Sequence, residues 1–152
     1  MKLIKHNENP KGIKACDCVV RAIAYATGLT WEVSYQRLCE IGLKIKRMPN
    51  EKQTYEKLLE QMGWKKFKQP RDLYNNKFTV EDWCKLMNKA NQRWSRQYSQ
   101  KVIISVANHL TVVDDNYDYD SEKQLEYELV DTWNCSHKCV GNYWIKEDEI
   151  PV

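Results

Sequence analysis

Three side chains in this 152-residue sequence are of the types that work together on a carbonyl group: Cys18, His109 and Asp131. A thiol becomes a strong nucleophile when an imidazole takes its proton and a third group holds that imidazole in place. Cys18 follows Asp17, a helix-capping residue type, and opens the apolar run VVRAIAYA that stops at Gly28. That pattern predicts a helix over 17–27 with Asp17 as its N-cap and Gly28 as its left-handed stop. Unpaired backbone N–H groups and the positive end of the helix dipole lie at such a start. Both favour thiolate over thiol, and the Cys18 backbone N–H can donate to an oxyanion. Cys16 falls before the cap and lacks these advantages.

His109 opens the stretch HLTVV, which has the composition of a strand. Asp131 ends the strand-like stretch YELVD, just before Thr132 and Trp133. Two antiparallel strands would set His109 beside Asp131, with Trp133 shielding the pair from water. The other two histidines are less well placed. His6 lies in a polar N-terminal segment and His137 in the loop CSHKC. Taken singly, Cys18 reads as a small buried residue, His109 as a hydrogen-bonded strand histidine and Asp131 as a strand-end cap. Their order and placement agree with one mechanism.

The competing chemistry is metal binding. Cys135, His137 and Cys139 alternate along one loop, and Cys16 with Cys18 repeats the spacing. Structural zinc sites favour two to four residues between cysteines, so that the loop can turn both sulfurs inward. Alternate residues of an extended chain lie about 7 Å apart, too far for one ion. The expectation is therefore no metal at these residues, with a zinc-stabilised interaction module as an alternative. Cys39 and Cys84 fall on helices as small core or boundary residues. The acidic stretch Asp114–Ser121 reads as a solvated turn, since it lacks the glycine and distal glutamate of a calcium loop.

The elements around these residues divide the chain. Thr30 caps a helix over 31–41 with Trp31, Tyr35, Leu38 and Ile41 on one face. Asn50 with Gln53 resembles a capping box for a third helix, carrying Tyr55, Leu58, Leu59 and Met62 and ending at Gly63. Thr79 with Asp82 opens a fourth over 80–92 with Trp83, Leu86, Met87 and Ala90. Strands follow over 101–107, 109–113, 126–133 and 140–146, with a turn at Ala107 and Asn108. The class is α+β: a single domain over 1–152, with a helical part at about 16–98 and an antiparallel sheet at about 101–147. The cluster Lys65–Lys68 reads as a solvated loop, and the stretch 91–100, with Arg93, Trp94, Arg96 and Tyr98, as a frayed helix end.

Composition narrows the function classes. Hydrophobic residues make up 42% and charged residues 30%, so the chain should build a core. A net charge of +3, with acidic and basic residues interspersed, gives no reason to expect nucleic acid. No apolar run approaches the roughly 18 residues of a membrane helix. Met1–His6 has only two apolar residues after its methionine and does not read as a signal peptide. The expected setting is cytoplasmic, where six cysteines stay reduced rather than forming three disulfides.

The order of a cysteine at a helix start, a histidine opening a strand and then Asp131-Thr132-Trp133 resembles papain-like cysteine peptidases. The stretches DCVVRAIA…TG, H…T, DTW and the late Tyr143-Trp144 are similar to small papain-fold proteins encoded by bacteriophages and mobile elements. The likeness runs from Asn9 to Trp144. It implies a helical lobe facing an antiparallel sheet, with Cys18 as nucleophile, His109 as general base and acid, and Asp131 as the orienting carboxylate. It implies a thiol hydrolase that needs no cofactor and acts on a protein or peptide-like substrate, a host protein among them, in the host cytoplasm. Papain-like enzymes place a glutamine six residues before the cysteine and an aromatic residue after it. Here those places hold Gly12 and Val19, which leaves Asn9 and Asn7 as candidates for the oxyanion donor. The alternative is a papain-fold binding protein that blocks a host factor without turnover.

Overall fold

The computed structural model of the chain describes residues 1–90, 100–115, 117–118, 123–124 and 126–147. Its elements are β1 (Lys2–Lys5), α1 (Cys18–Thr27), α2 (Trp31–Ile45), α3 (Lys52–Gln61), β2 (Trp64–Phe67), α4 (Val80–Ala90), β3 (Gln100–Val106), β4 (His109–Asp115), β5 (Tyr117–Asp118), β6 (Lys123–Gln124), β7 (Glu128–Asp131) and β8 (Tyr143–Lys146). The class is α+β. Six strands form one mixed sheet in the order β1-β7-β4-β3-β8-β2, while β5 and β6 pair separately.

The sheet differs from the antiparallel one expected. β1 lies parallel to β7, pairing Lys2 with Glu128 and Lys5 with Asp131. β2 lies antiparallel to β8, so Trp64–Phe67 is an edge strand where a solvated loop was expected. Neither segment has the length or alternation that marks a strand by itself. Each is held by the backbone hydrogen bonds of the edge it joins.

The sheet carries a core on each face. Against one face α1, α2 and α3 bury Val19, Ile23, Leu38, Leu58 and Leu59 on Ile103, Leu110, Val112 and Trp144. Against the other, Val80, Cys84 and Met87 of α4 meet Val102, Ile104, Val113 and Leu129. The period-2 alternation of β3, with Ile103 on one core and its neighbours on the other, follows from this sandwiching. No helix among the described residues is long and apolar enough to cross a membrane.

Local chemistry sets the helix ends. Gly28 takes φ 77° and its N–H closes on the Ala24 carbonyl, as a left-handed cap requires. Thr30 Oγ1 accepts from the Val33 N–H, and Thr79 Oγ1 from the Asp82 N–H. α2 runs four residues past its expected end, because Gly42 is buried where the Arg47 carbonyl passes and does not break the helix. Tyr35 is exposed and stacks on Trp31 instead of entering the core. Leu86, also expected on the buried face of its helix, is exposed. The Asn50 capping box does not form. Glu51 holds the N-cap position of α3, and its carboxylate accepts from the Met48 N–H. The stretch 91–99, the expected helix end at 91–92 and most of the acidic stretch after Asp115 lie outside the described residues. Asp114 and Asp115 belong to β4, not to a turn.

Candidate functional site

The site forms where the start of α1 meets the ends of β4 and β7. β4 pairs with β7 in the register Val112–Val130, Val113–Leu129 and Asp114–Glu128. Continued toward the start of β4, that register sets Thr111 opposite Asp131 and His109 opposite Trp133. The side chains obey it. Thr111 Oγ1 donates to Asp131 Oδ2 at 2.6 Å, and the His109 and Trp133 rings lie 5.0 Å apart. Since alternate residues share a side of the strand, His109 reaches the same carboxylate as Thr111. Its Nε2 lies 2.6 Å from Asp131 Oδ2. The turn that starts β4 is tight, with Asn108 at φ 55°, a conformation asparagine tolerates well. β4 also packs beneath α1, which brings the first residue of that helix to the imidazole.

Cys18 is half-buried, and His109 and the Leu110 backbone are near enough to favour its thiolate. Burial works against its ionisation. The His109 ring, the Leu110 backbone and the nearby charges of His109 and Arg21 outweigh it, and the thiol ionises below its usual range. For His109 burial again opposes the charged form. The bond to Asp131, with Cys135 and Cys18 close by, prevails and pushes the ring up to about 11. Asp131 is held below the ordinary carboxylate range: burial opposes its charge, but bonds from His109, Thr111 and the Thr132 N–H favour it. The low-lying thiol and high-lying imidazole match a thiolate–imidazolium pair at neutral pH.

The structure thus brings Cys18, His109 and Asp131 together, with Trp133 against the imidazole. Trp133 is 40% exposed, and its ring meets the imidazole at a tilt of 50°. Asn9 and Asn7 sit in the segment before α1, each with its amide engaged. Asn9 Nδ2 donates to Asp17 Oδ2 at 3.1 Å, and Asn7 Nδ2 donates to the Ile13 carbonyl at 3.2 Å. Asp17 holds the N-cap position but makes no side-chain cap. Its carboxylate takes Asn9, Trp31 Nε1 at 2.9 Å and Arg21 Nε at 2.9 Å instead.

All six cysteines are free thiols. Cys135 is fully buried, while His137 and Cys139 are exposed, so the alternating loop residues do not converge. Cys135 turns inward, with Sγ 3.9 Å from Asp131 Oδ2. Among the described residues, His109, Asp131 and Cys135 do place ligand atoms within 4.8 Å of one another. The donor set is already satisfied by protons, however. Asp131 accepts from His109, Thr111 and Thr132, and Arg21 Nη1 lies 3.6 Å from its Oδ1. A cation there would displace short hydrogen bonds and sit beside a guanidinium.

Sequence reasoning missed Thr111 and Arg21, and weighed Cys135 only as a metal ligand with His137 and Cys139. Thr111 had a signal, since it alternates with His109. Arg21 had one as well: it falls one helical turn after both Asp17 and Cys18. Comparison with known proteins adds no relative, as no family model, curated protein or solved structure matches the chain.

Proposed function

We propose that this protein is a thiol hydrolase of papain-like arrangement, cleaving an amide, isopeptide or thioester bond of a protein or peptide-like substrate through an acyl-enzyme. The observation that carries the reading is the continuous path from Cys18 at the start of α1, through His109, to Asp131 Oδ2 at 2.6 Å. In this reading Cys18 Sγ attacks the carbonyl carbon, and charge develops on the carbonyl oxygen. The first N–H groups of α1 lack partners within the helix and suit that oxygen. His109 gives its proton to the leaving nitrogen or sulfur as the bond breaks, which leaves a thioester on Cys18. Water then attacks the thioester, His109 takes its proton, and the acid departs with Cys18 restored. Asp131 keeps the imidazole oriented and stabilises its charge in both steps.

A second reading is a papain-fold protein that binds a partner without turnover. It is favoured by the engagement of both asparagine amides by other partners, Asn9 with Asp17 and Asn7 with Ile13. p-Nitrophenyl acetate separates the two. The hydrolase reading expects one equivalent of nitrophenolate released in a burst, acetyl on Cys18 by mass spectrometry, and continued slow turnover. It expects none of these in Cys18→Ser. Acetylation of Cys18 that is never hydrolysed would support the binding reading, and no acetylation at Cys18 would remove both the nucleophile and the triad.

A further inference from the structure

Arg21 is a cation with carboxylates on both sides of it. Its Nε donates to Asp17 Oδ1 at 2.9 Å, and its Nη1 donates to Thr132 Oγ1 at 3.1 Å and lies 3.6 Å from Asp131 Oδ1. Only 14% of its side chain is exposed, and the two carboxylates are 7% and 3% exposed. The connection crosses the molecule. Asp17 immediately precedes α1 and is tied to Asn9 and Trp31, while Asp131 and Thr132 lie at the end of β7 on the sheet. Cys18 adjoins one anchor and His109 is bonded to the other.

The thiol stands on the helix and the imidazole on the sheet, so their separation depends on how α1 is seated. Apolar packing of Val19, Val20 and Ile23 holds α1 down, but such contacts are non-directional. A planar guanidinium with donors in a fixed fork supplies direction, which an ammonium cannot reproduce. We propose that Arg21 is a positioning residue of the Cys18 site, a bridge between Asp17 and the Asp131–Thr132 strand end that holds the nucleophile's helix in register with its imidazole. The bridge uses Asp131 Oδ1 and leaves Oδ2 to His109 and Thr111, so one carboxylate serves both purposes without competition. It also places a fixed positive charge near the thiolate.

The proposal rests on Cys18 being an activated nucleophile, and the test keeps the two apart. Second-order alkylation of Cys18 by iodoacetamide is followed from pH 4 to 9 by mass mapping, with thermal melts alongside, in wild type, Arg21→Gln, Arg21→Lys and Asp17→Asn. Arg21→Gln should lower the rate at pH 6 at least tenfold and move the inflection of the profile to higher pH. Arg21→Lys should keep the inflection nearer that of wild type while still losing rate, since charge survives and the fork does not. Asp17→Asn should act in the same direction as Arg21→Gln, because the guanidinium loses one anchor. If Arg21→Gln does not fold, the other two variants carry the same comparison. A profile for Arg21→Gln superimposable on wild type overturns the bridge and leaves the nucleophile standing. So does a loss of rate that merely follows the melting temperature with the inflection unmoved. A wild-type Cys18 that reacts no faster than Cys39 overturns the nucleophile itself.

Discussion

Replacing Cys18 by serine should change how stability depends on pH, by an amount set by the proton count of the pair. In the folded chain His109 keeps its proton up to about 11, and Cys18 ionises below its ordinary range. From the pH at which the lowered Cys18 thiol ionises up to about 8.5, the folded pair therefore holds one proton, on the imidazole beside a thiolate. The unfolded chain also holds one between about pH 6.5 and about 8.5, because a free imidazole has lost its proton while a free thiol still has its own. Equal counts give no slope, so the pair's contribution is flat there and falls only above about 8.5, where the unfolded thiol ionises. Below about 6.5 the unfolded histidine regains its proton, so wherever the folded thiol is still ionised the contribution rises with pH.

Serine has no titrating proton in this range. His109, its folded pKa still raised by Asp131, then stabilises the fold fully below about pH 6.5, and that stabilisation is lost as pH rises toward the folded value, at up to about 1.4 kcal/mol per pH unit. Between pH 6.5 and 8.5 the gap between wild type and Cys18→Ser should widen by up to about 2.7 kcal/mol, equivalent to roughly 5–11 °C in Tm for a chain of this size. Urea denaturation at pH 6.5, 7.5 and 8.5 under reducing conditions, read by tryptophan fluorescence, measures it. Groups common to both proteins cancel in the difference. A gap that stays constant across the three pH values would refute the thiolate–imidazolium pair.

Further perturbations address the triad, the shield and the core. His109→Ala should slow alkylation of Cys18 by iodoacetamide at pH 6 at least tenfold, measured by mass mapping. Trp133→Ala, at a site 40% exposed, should cost less than about 1 kcal/mol in a thermal melt yet slow that alkylation several-fold as water reaches the imidazole. Leu59→Ala, at a fully buried position of α3, should cost about 2–5 kcal/mol by urea denaturation. Gly42→Ala would bring a Cβ to 2.5 Å from the Arg47 carbonyl oxygen and should cost about 1–3 kcal/mol, leaving the pH profile of Cys18 unchanged.

The residues that meet at the site were legible because each carries a local signal. Cys18 stands at a helix start marked by Asp17 and Gly28, and His109 and Asp131 stand at the ends of strands. The alternation along β4 and β7 then puts His109 and Thr111 on the side that meets Asp131, while the turn at Asn108 sets β4 against β3. β1 and β2 were not legible, because Lys2–Lys5 and Trp64–Phe67 become strands only through the edges of β7 and β8. A four-residue segment with exposed Lys65 and Lys66 has no reason of its own to be extended. Arg21 escaped for a related reason: the partners that give it meaning, Asp131 and Thr132, are more than a hundred residues away. Asp17 was assigned the right place for a different task. Its carboxylate is drawn from the helix N–H groups by three stronger claims, from Asn9, Trp31 and Arg21.

Competition among the protein's own six cysteines tests the central claim most directly. With limiting iodoacetamide at pH 6, where an ordinary thiol is almost wholly protonated, the first label should fall on Cys18. Cys16 and Cys139 are more exposed, and Cys39 is half-buried like Cys18, so access alone would favour other sites. Label on Cys18 ahead of these three is the predicted result. Label appearing first on Cys16 or Cys139, with Cys18 no faster than Cys39, would contradict the account.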